Sequence, residues 1–170
     1  MSRAIAFGCS EVKPKIHVVA FAPSSPHRLV DLARAAYSFN FVDGFIVVKP
    51  VSLAAQIGVP EVFKIAYKYG RSFYILANLR ELKEILNIDT IVFILQNRKE
   101  VQDFSEVVKN TVMNSIAIIV QAGETTINKD DLSLGIVARI CEMSDLFSPN
   151  PVAEVTAALM KLLKILSSFR

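Results

Sequence analysis

The chain has 170 residues, 52% of them hydrophobic and 21% charged, with a formal net charge of +3. One domain of this size can withdraw roughly 70% of its unfolded surface from water, and the small net charge does not declare a nucleic-acid partner. Cys9 and Cys141 stand far apart with no CxxC or Cys/His spacing, so neither a zinc site nor a disulfide framework is signalled, and both read as reduced thiols.

Residues 1–14 read as an amino-terminal arm or strand and residues 15–170 as a single α/β domain. The apolar stretch Ala4 to Cys9 is too short for a signal peptide and is followed by Lys13 and Lys15. Ile16-His-Val-Val-Ala-Phe21 has strand composition, and Ala22-Pro-Ser-Ser-Pro26 is a turn in which Ser25 can cap a helix with Pro26 in its first position. That helix runs to about Phe39, with Leu29, Leu32 and Ala36 on one face. The β-branched run Gly44 to Lys49 is closed by Pro50.

Val62 to Tyr69 then reads as a helix, Ser72 to Leu76 as a strand, Leu79 to Leu86 as a helix and Thr90 to Leu95 as a strand. Val101 to Lys109 follows as a helix, Ile116 to Val120 as a strand, and Val152 to Ser167 as a long last helix. Continuous apolar strands alternating with helices predict a mostly parallel sheet flanked by helices and buried on both faces. No segment approaches the ~18 uninterrupted apolar residues of a membrane span, so a soluble, cytoplasmic protein is expected. The low charged fraction, and the broad apolar stripe of the last helix through Val152, Val155, Leu159, Leu162, Leu163 and Leu166, suggest a homodimer.

In open α/β sheets ligands lie beyond the carboxyl ends of the strands, which directs attention to Ala22–Arg28, Gln96–Lys99, Gln121–Asn128 and Asp145–Val152. No GxGxxG follows the first strand, and GxxxxGK[ST] and GxSxG are absent. Two loops stand out. One is Gln121-Ala-Gly-Glu124 after a strand; the other is Ser148-Pro-Asn150 at a helix mouth. Asn150 also reads as a helix cap with Pro151 in the first helical position, and Glu124 as a cap of its turn. Arg34 reads equally as an exposed arginine paired with Asp31 or Glu61.

The order of these segments resembles the SPOUT (α/β-knot) RNA methyltransferases, in their SpoU-like branch, over about residues 15–168. Arg34 on the first helix resembles the family's first motif, Gln121-Ala-Gly-Glu124 its second, and Ser148-Pro-Asn150 its third. The resemblance implies a carboxyl-terminal trefoil knot and an S-adenosylmethionine-dependent transfer to RNA (tRNA or rRNA), with a ribose 2′-hydroxyl as acceptor. It implies catalytic roles for Arg34, Glu124 and Asn150. It also implies cofactor contact through Leu95, Gln96, Asn97, Ala122, Gly123, Glu124, Ile140, Phe147 and Ser148. Three positions depart from the motifs: Arg28, Gly123 and Val152 stand where the family has polar side chains. A noncatalytic SPOUT-fold protein that binds RNA or protein is therefore the alternative, and a flavodoxin-like binding module is a third reading.

Overall fold

The computed structural model describes residues 13–111, 114–144 and 150–168. The expected arm therefore lies almost wholly outside the described residues, as do Phe147 and Ser148.

Six strands form one sheet, in the order β3-β2-β1-β5-β4-β6, and every pairing is parallel. The strands are β1 (Lys15–Phe21), β2 (Gly44–Val48), β3 (Ser72–Leu76), β4 (Thr90–Ile94), β5 (Ser115–Gln121) and β6 (Ile136–Ala138). Their two-residue alternation divides the core. Ile16, Val18 and Ala20 of β1, with Ile116, Ile118 and Val120 of β5, face one apolar cluster, whereas Val19, Phe21, Ala117 and Ile119 face the other.

The two sides are covered unequally. The first cluster lies under α1 (Pro26–Tyr37), α2 (Val59–Lys68), α4 (Phe104–Asn110) and α6 (Pro151–Ser167). The second is closed by the short helices α3 (Glu81–Glu84) and α5 (Lys129–Leu132), with Leu79, Leu82, Ile88 and Ile127 filling between them. A π-helical turn, Ala54–Gly58, leads into α2. Gly58 packs closely there: a Cβ would stand 3.1 Å from both the Pro26 Cα and a Leu29 methyl, at the start of α1.

The mostly parallel α/β sheet agrees with the sequence reading, but three elements differ. The helix expected over Leu79–Leu86 forms only across Glu81–Glu84. Its start is set by Asn78, which receives the Arg80 and Glu81 amides, while Glu81 receives the Ala77 amide. Helix α5 and strand β6 were not expected. The latter is three residues long and follows Gly135, whose absent Cβ would come within 2.3 Å of the Ile91 carbonyl oxygen. No helix among the described residues is long and apolar enough to cross a membrane. The expected carboxyl-terminal knot is not established by the described residues, because the chain into α6 passes through residues 145–149.

Candidate functional site

The strands leave β1 toward β2 on one side and toward β5 on the other, so the topological switch, where such sheets open a crevice, lies between β1 and β5. Its walls are the loops after those two strands. Ala22 takes up a left-handed backbone (φ 46) and donates its amide to Val48, while the Ala122 amide donates to Phe21. Lys49 and Ser52, after β2, are also left-handed (φ 51 and 50). Three non-glycine residues held in this region along one sheet edge, at a cost on the order of 1 kcal/mol each, mark a backbone shaped by its surroundings. Gly123 closes the crevice: a Cβ there would lie 2.1 Å from the Ala22 carbonyl oxygen. Of the expected cofactor residues in this loop, Ala122 is buried, Gly123 half-buried and Glu124 exposed.

The next pair of expected cofactor residues bind one another. Gln96 is 7% exposed; its Nε2 donates to the Ile140 carbonyl at 3.2 Å, and the Ile140 amide donates to its Oε1 at 2.9 Å. The side chain thus extends the β4–β6 ladder by one step, beyond the Leu95 amide that donates to Ala138. Leu95 is half-buried and Asn97 exposed. Gln96→Leu should cost about 2 kcal/mol, since it strands a buried amide; urea unfolding, with faster hydrogen exchange at the Ile140 amide, checks this.

Beside the crevice an open groove of about 560 Å³ is lined by Arg28, Asp31, Asn150 and Val152. Ser25 caps α1 by accepting the Arg28 amide, and the start of α1 shares the groove with the start of α6. Asn150 caps α6, its Oδ1 accepting the Val152 and Ala153 amides at 3.1 and 3.3 Å. With Pro151 lacking an N–H and the Glu154 amide bonded to the Asn150 carbonyl, this helix start keeps no amide for an anion. The cation of the groove is Arg28, which pairs with no carboxylate among the described residues. Of the three residues expected to be catalytic, only Asn150 lines the groove. Arg34 is exposed on the later part of α1 with Asp31 at 3.9 Å, and Glu124 stands on the β5 loop.

Two features here escaped the sequence reading. Glu154 is 2% exposed and falls on the apolar stripe of α6 with Pro151, Val155, Ala158 and Leu159; burial alone pushes its carboxyl up to about 7. Its spacing from Pro151 and Ala158 was the available signal. The second feature is a polar clamp. Lys161 Nζ reaches Asp103 at 3.0 and 3.2 Å, Ser105 Oγ at 3.2 Å and Glu142 at 2.8 Å. Asp103 also accepts the Ser105 and Cys141 amides, each at 2.9 Å. Burial pushes the Asp103 carboxyl up, but these donors outweigh it and hold the group well below the usual carboxylate range. The two carboxylates keep the ammonium charged. Because the three charged groups are separated by tens of residues, no motif announces them.

The family model described as "RecB-family nuclease (DUF2122)" matches residues 52–161, more than half of the chain. The chain belongs to this family. A candidate type II restriction enzyme of Aeropyrum pernix is 38% identical over 90 residues, covering 53% of this chain and 54% of that protein. A second, from Methanocaldococcus jannaschii, is 29% identical over 121 residues, covering 69% of this chain and 78% of that one. The aligned part thus spans about half of the first relative.

Solved structures share the fold at lower identity. The SpoU methyltransferase AviRb of Streptomyces viridochromogenes superposes with a TM-score of 0.70 at 14% identity, covering 92% of this chain and 61% of that one. Its complex with AdoMet gives 0.69 at 13% identity, covering 92% and 62%. A protein of Bordetella pertussis described as a methyltransferase gives 0.68 at 19% identity, covering 92% and 96%. At these identities the likeness shows that the chain has the sheet of the SpoU proteins, and nothing of its reaction. The expected S-adenosylmethionine-dependent RNA methyltransferase, with its noncatalytic alternative, is therefore corrected: the matching family is described as a nuclease family, and the two relatives as candidate restriction enzymes.

Nucleases commonly work through divalent metal ions held by clustered carboxylate and imidazole donors. Among the described residues no group of three or more His, Cys, Asp or Glu side chains is placed to hold one. Asp103 and Glu142 converge, but on an ammonium, and the Asp103 oxygens are already filled by two amides and Lys161. The described residues do not form a resident metal centre.

Proposed function

We propose that this DUF2122 protein acts on nucleic acid, with cleavage of the phosphodiester backbone as its reaction class. The groove at the carboxyl edge of the sheet carries the reading. Its volume, about 560 Å³, suits a nucleotide-sized group, and Arg28 on its wall offers a fork of donors matched to a phosphate. The family's description as a nuclease and the two candidate restriction-enzyme relatives support the same substrate class.

In the groove, Arg28 would hold a phosphate, Asp31, which pairs with Arg34 at 3.9 Å, would bound the α1 wall, and Asn150 would fix the α6 wall against which the sugar rests. Homodimerisation belongs to the same proposal. It is supported by Met160 and Leu163, which remain 44% and 41% exposed on α6. So does a knotted path into α6, supported by the likeness to the SpoU fold. S-adenosylmethionine enters as a probe of the β1–β5 crevice, because AviRb holds AdoMet on this fold.

Equilibrium binding of labelled single-stranded RNA, single-stranded DNA and duplex DNA tests the reading. Arg28→Ala should weaken binding of the preferred strand by about tenfold, as expected for loss of one charge-assisted phosphate contact. Saturable binding that Arg28→Ala leaves unchanged would remove the groove from the account. Failure to bind any of the three would remove the nucleic-acid reading itself.

A further inference from the structure

Helix α2 and its C-cap carry a cluster of exposed rings that the sheet does not use. Phe63 and Tyr67, one helical turn apart, are 59% and 82% exposed, and their rings stack on each other with centroids 6.3 Å apart at 24°. Tyr69 follows at 64% exposure, with the Lys68 ammonium 5.4 Å from its ring centre. Lys64 and Lys68, four residues apart, form a parallel cationic row beside the ring pair. Lys64 makes an exposed pair with Glu61, at 2.7 Å, which water screens heavily.

Aromatic faces left in water beside lysines suit one partner chemistry. Bases stack on rings irrespective of sequence, while the phosphates between them meet the ammonium groups. A second copy of this chain fits less well, because a two-fold contact through α2 would bring Lys64 and Lys68 against their own counterparts. The place of α2 fits too. Its lead-in turn packs Gly58 against Pro26 and Leu29, next to the Arg28 wall of the groove. Phe63 and Tyr67 then lie about 8 and 14 Å further along the helix, at 1.5 Å per residue, on the helix that packs against α1, which bears Arg28.

We infer that the α2 face, through Phe63, Tyr67 and Tyr69 with Lys64 and Lys68, is a stacking platform for single-stranded nucleic acid. This rests on the nucleic-acid reading above and names the substrate form. Fluorescence anisotropy with a labelled oligothymidylate and a labelled oligouridylate, against the same DNA as a duplex, tests it on the full chain.

The wild type should prefer the single strands. Phe63→Ala and Tyr67→Ala should each weaken single-strand binding by about tenfold and Tyr67→Phe should preserve it, all with unchanged unfolding curves since these rings are exposed. Lys64→Ala with Lys68→Ala should reduce the salt dependence by about one to two released ions.

Equal affinity of wild type and ring variants for single strands would overturn the platform and leave the nucleic-acid reading standing. Sedimentation showing that the ring variants turn a dimer into a monomer, with affinity unchanged, would assign the face to a second copy. Absence of any binding by the wild type would overturn both readings.

Discussion

Glu154→Gln is expected to remove a pH-dependent loss of stability of about 3 kcal/mol. The carboxyl is 2% exposed, and burial raises its folded value to about 7 from a reference of 4.5. Below about pH 4.5 it is protonated in both states and contributes no penalty. Between there and 7 the folded state holds the extra proton, so stability falls as pH rises and then levels off above 7; about 2.5 pKa units at 1.36 kcal/mol each set the scale. His17 acts in the opposite sense. Its burial lowers its value below 6.5, so its contribution grows as pH rises toward 6.5. The informative quantity is therefore the difference between wild type and variant, in which His17 cancels. Urea unfolding at pH 5 and pH 8 should show the variant gaining on the wild type by about 2–3 kcal/mol between the two. Parallel curves at both pH values would show that Glu154 is solvated in solution.

Gly123→Ala is expected to destabilise the chain by about 3 kcal/mol or more, a large effect for one methyl group. The added Cβ would stand 2.1 Å from the Ala22 carbonyl oxygen and 3.4 Å from the Ser24 amide nitrogen. Both neighbours are backbone, in a loop whose Ala22 amide is tied to β2 and whose Pro23 carbonyl accepts the Val51 amide, so the strain cannot be relieved by turning a side chain. A large residue at this position would not fill a pocket; it would part the β1 and β5 loops that form the crevice. Thermal unfolding of Gly123→Ala against Glu124→Ala, an exposed neighbour, checks it. A melting temperature for Gly123→Ala within a degree or two of the control would show that the two loops are farther apart than 2.1 Å implies.

The sheet was legible because its cause is local. Apolar β-branched runs such as Phe45–Val48 and Ile116–Val120 cannot be satisfied by a half-wet strand, so they require cover on both faces, and Ser25-Pro26 and Asn150-Pro151 announce helix starts by cap chemistry that the structure contains. Strand β6 was hidden because three residues carry too little periodicity, and only contact with β4 makes them a strand. The groove was partly legible. Asn150 is in it, while Arg28, which the sequence offered at the end of the Ala22–Arg28 loop and as a departure from a motif, is its cation. The clamp of Lys161 on Asp103 and Glu142 depends on long-range packing of α6 against α4 and could not be read from spacing. The reaction class was misread for a different reason. Short motifs at strand ends follow the fold, because loops at a switch point must be tight and polar whatever ligand they hold, and fold does not fix chemistry.

The most direct test of nucleic-acid cleavage is the mass spectrum of a defined oligonucleotide, as RNA and as DNA, after incubation with the protein, magnesium ion and S-adenosylmethionine together. The account predicts shorter fragments whose masses sum to the strand plus water, formed much more slowly by Arg28→Ala. Strands that stay full length and grow heavier by one methyl group would contradict it.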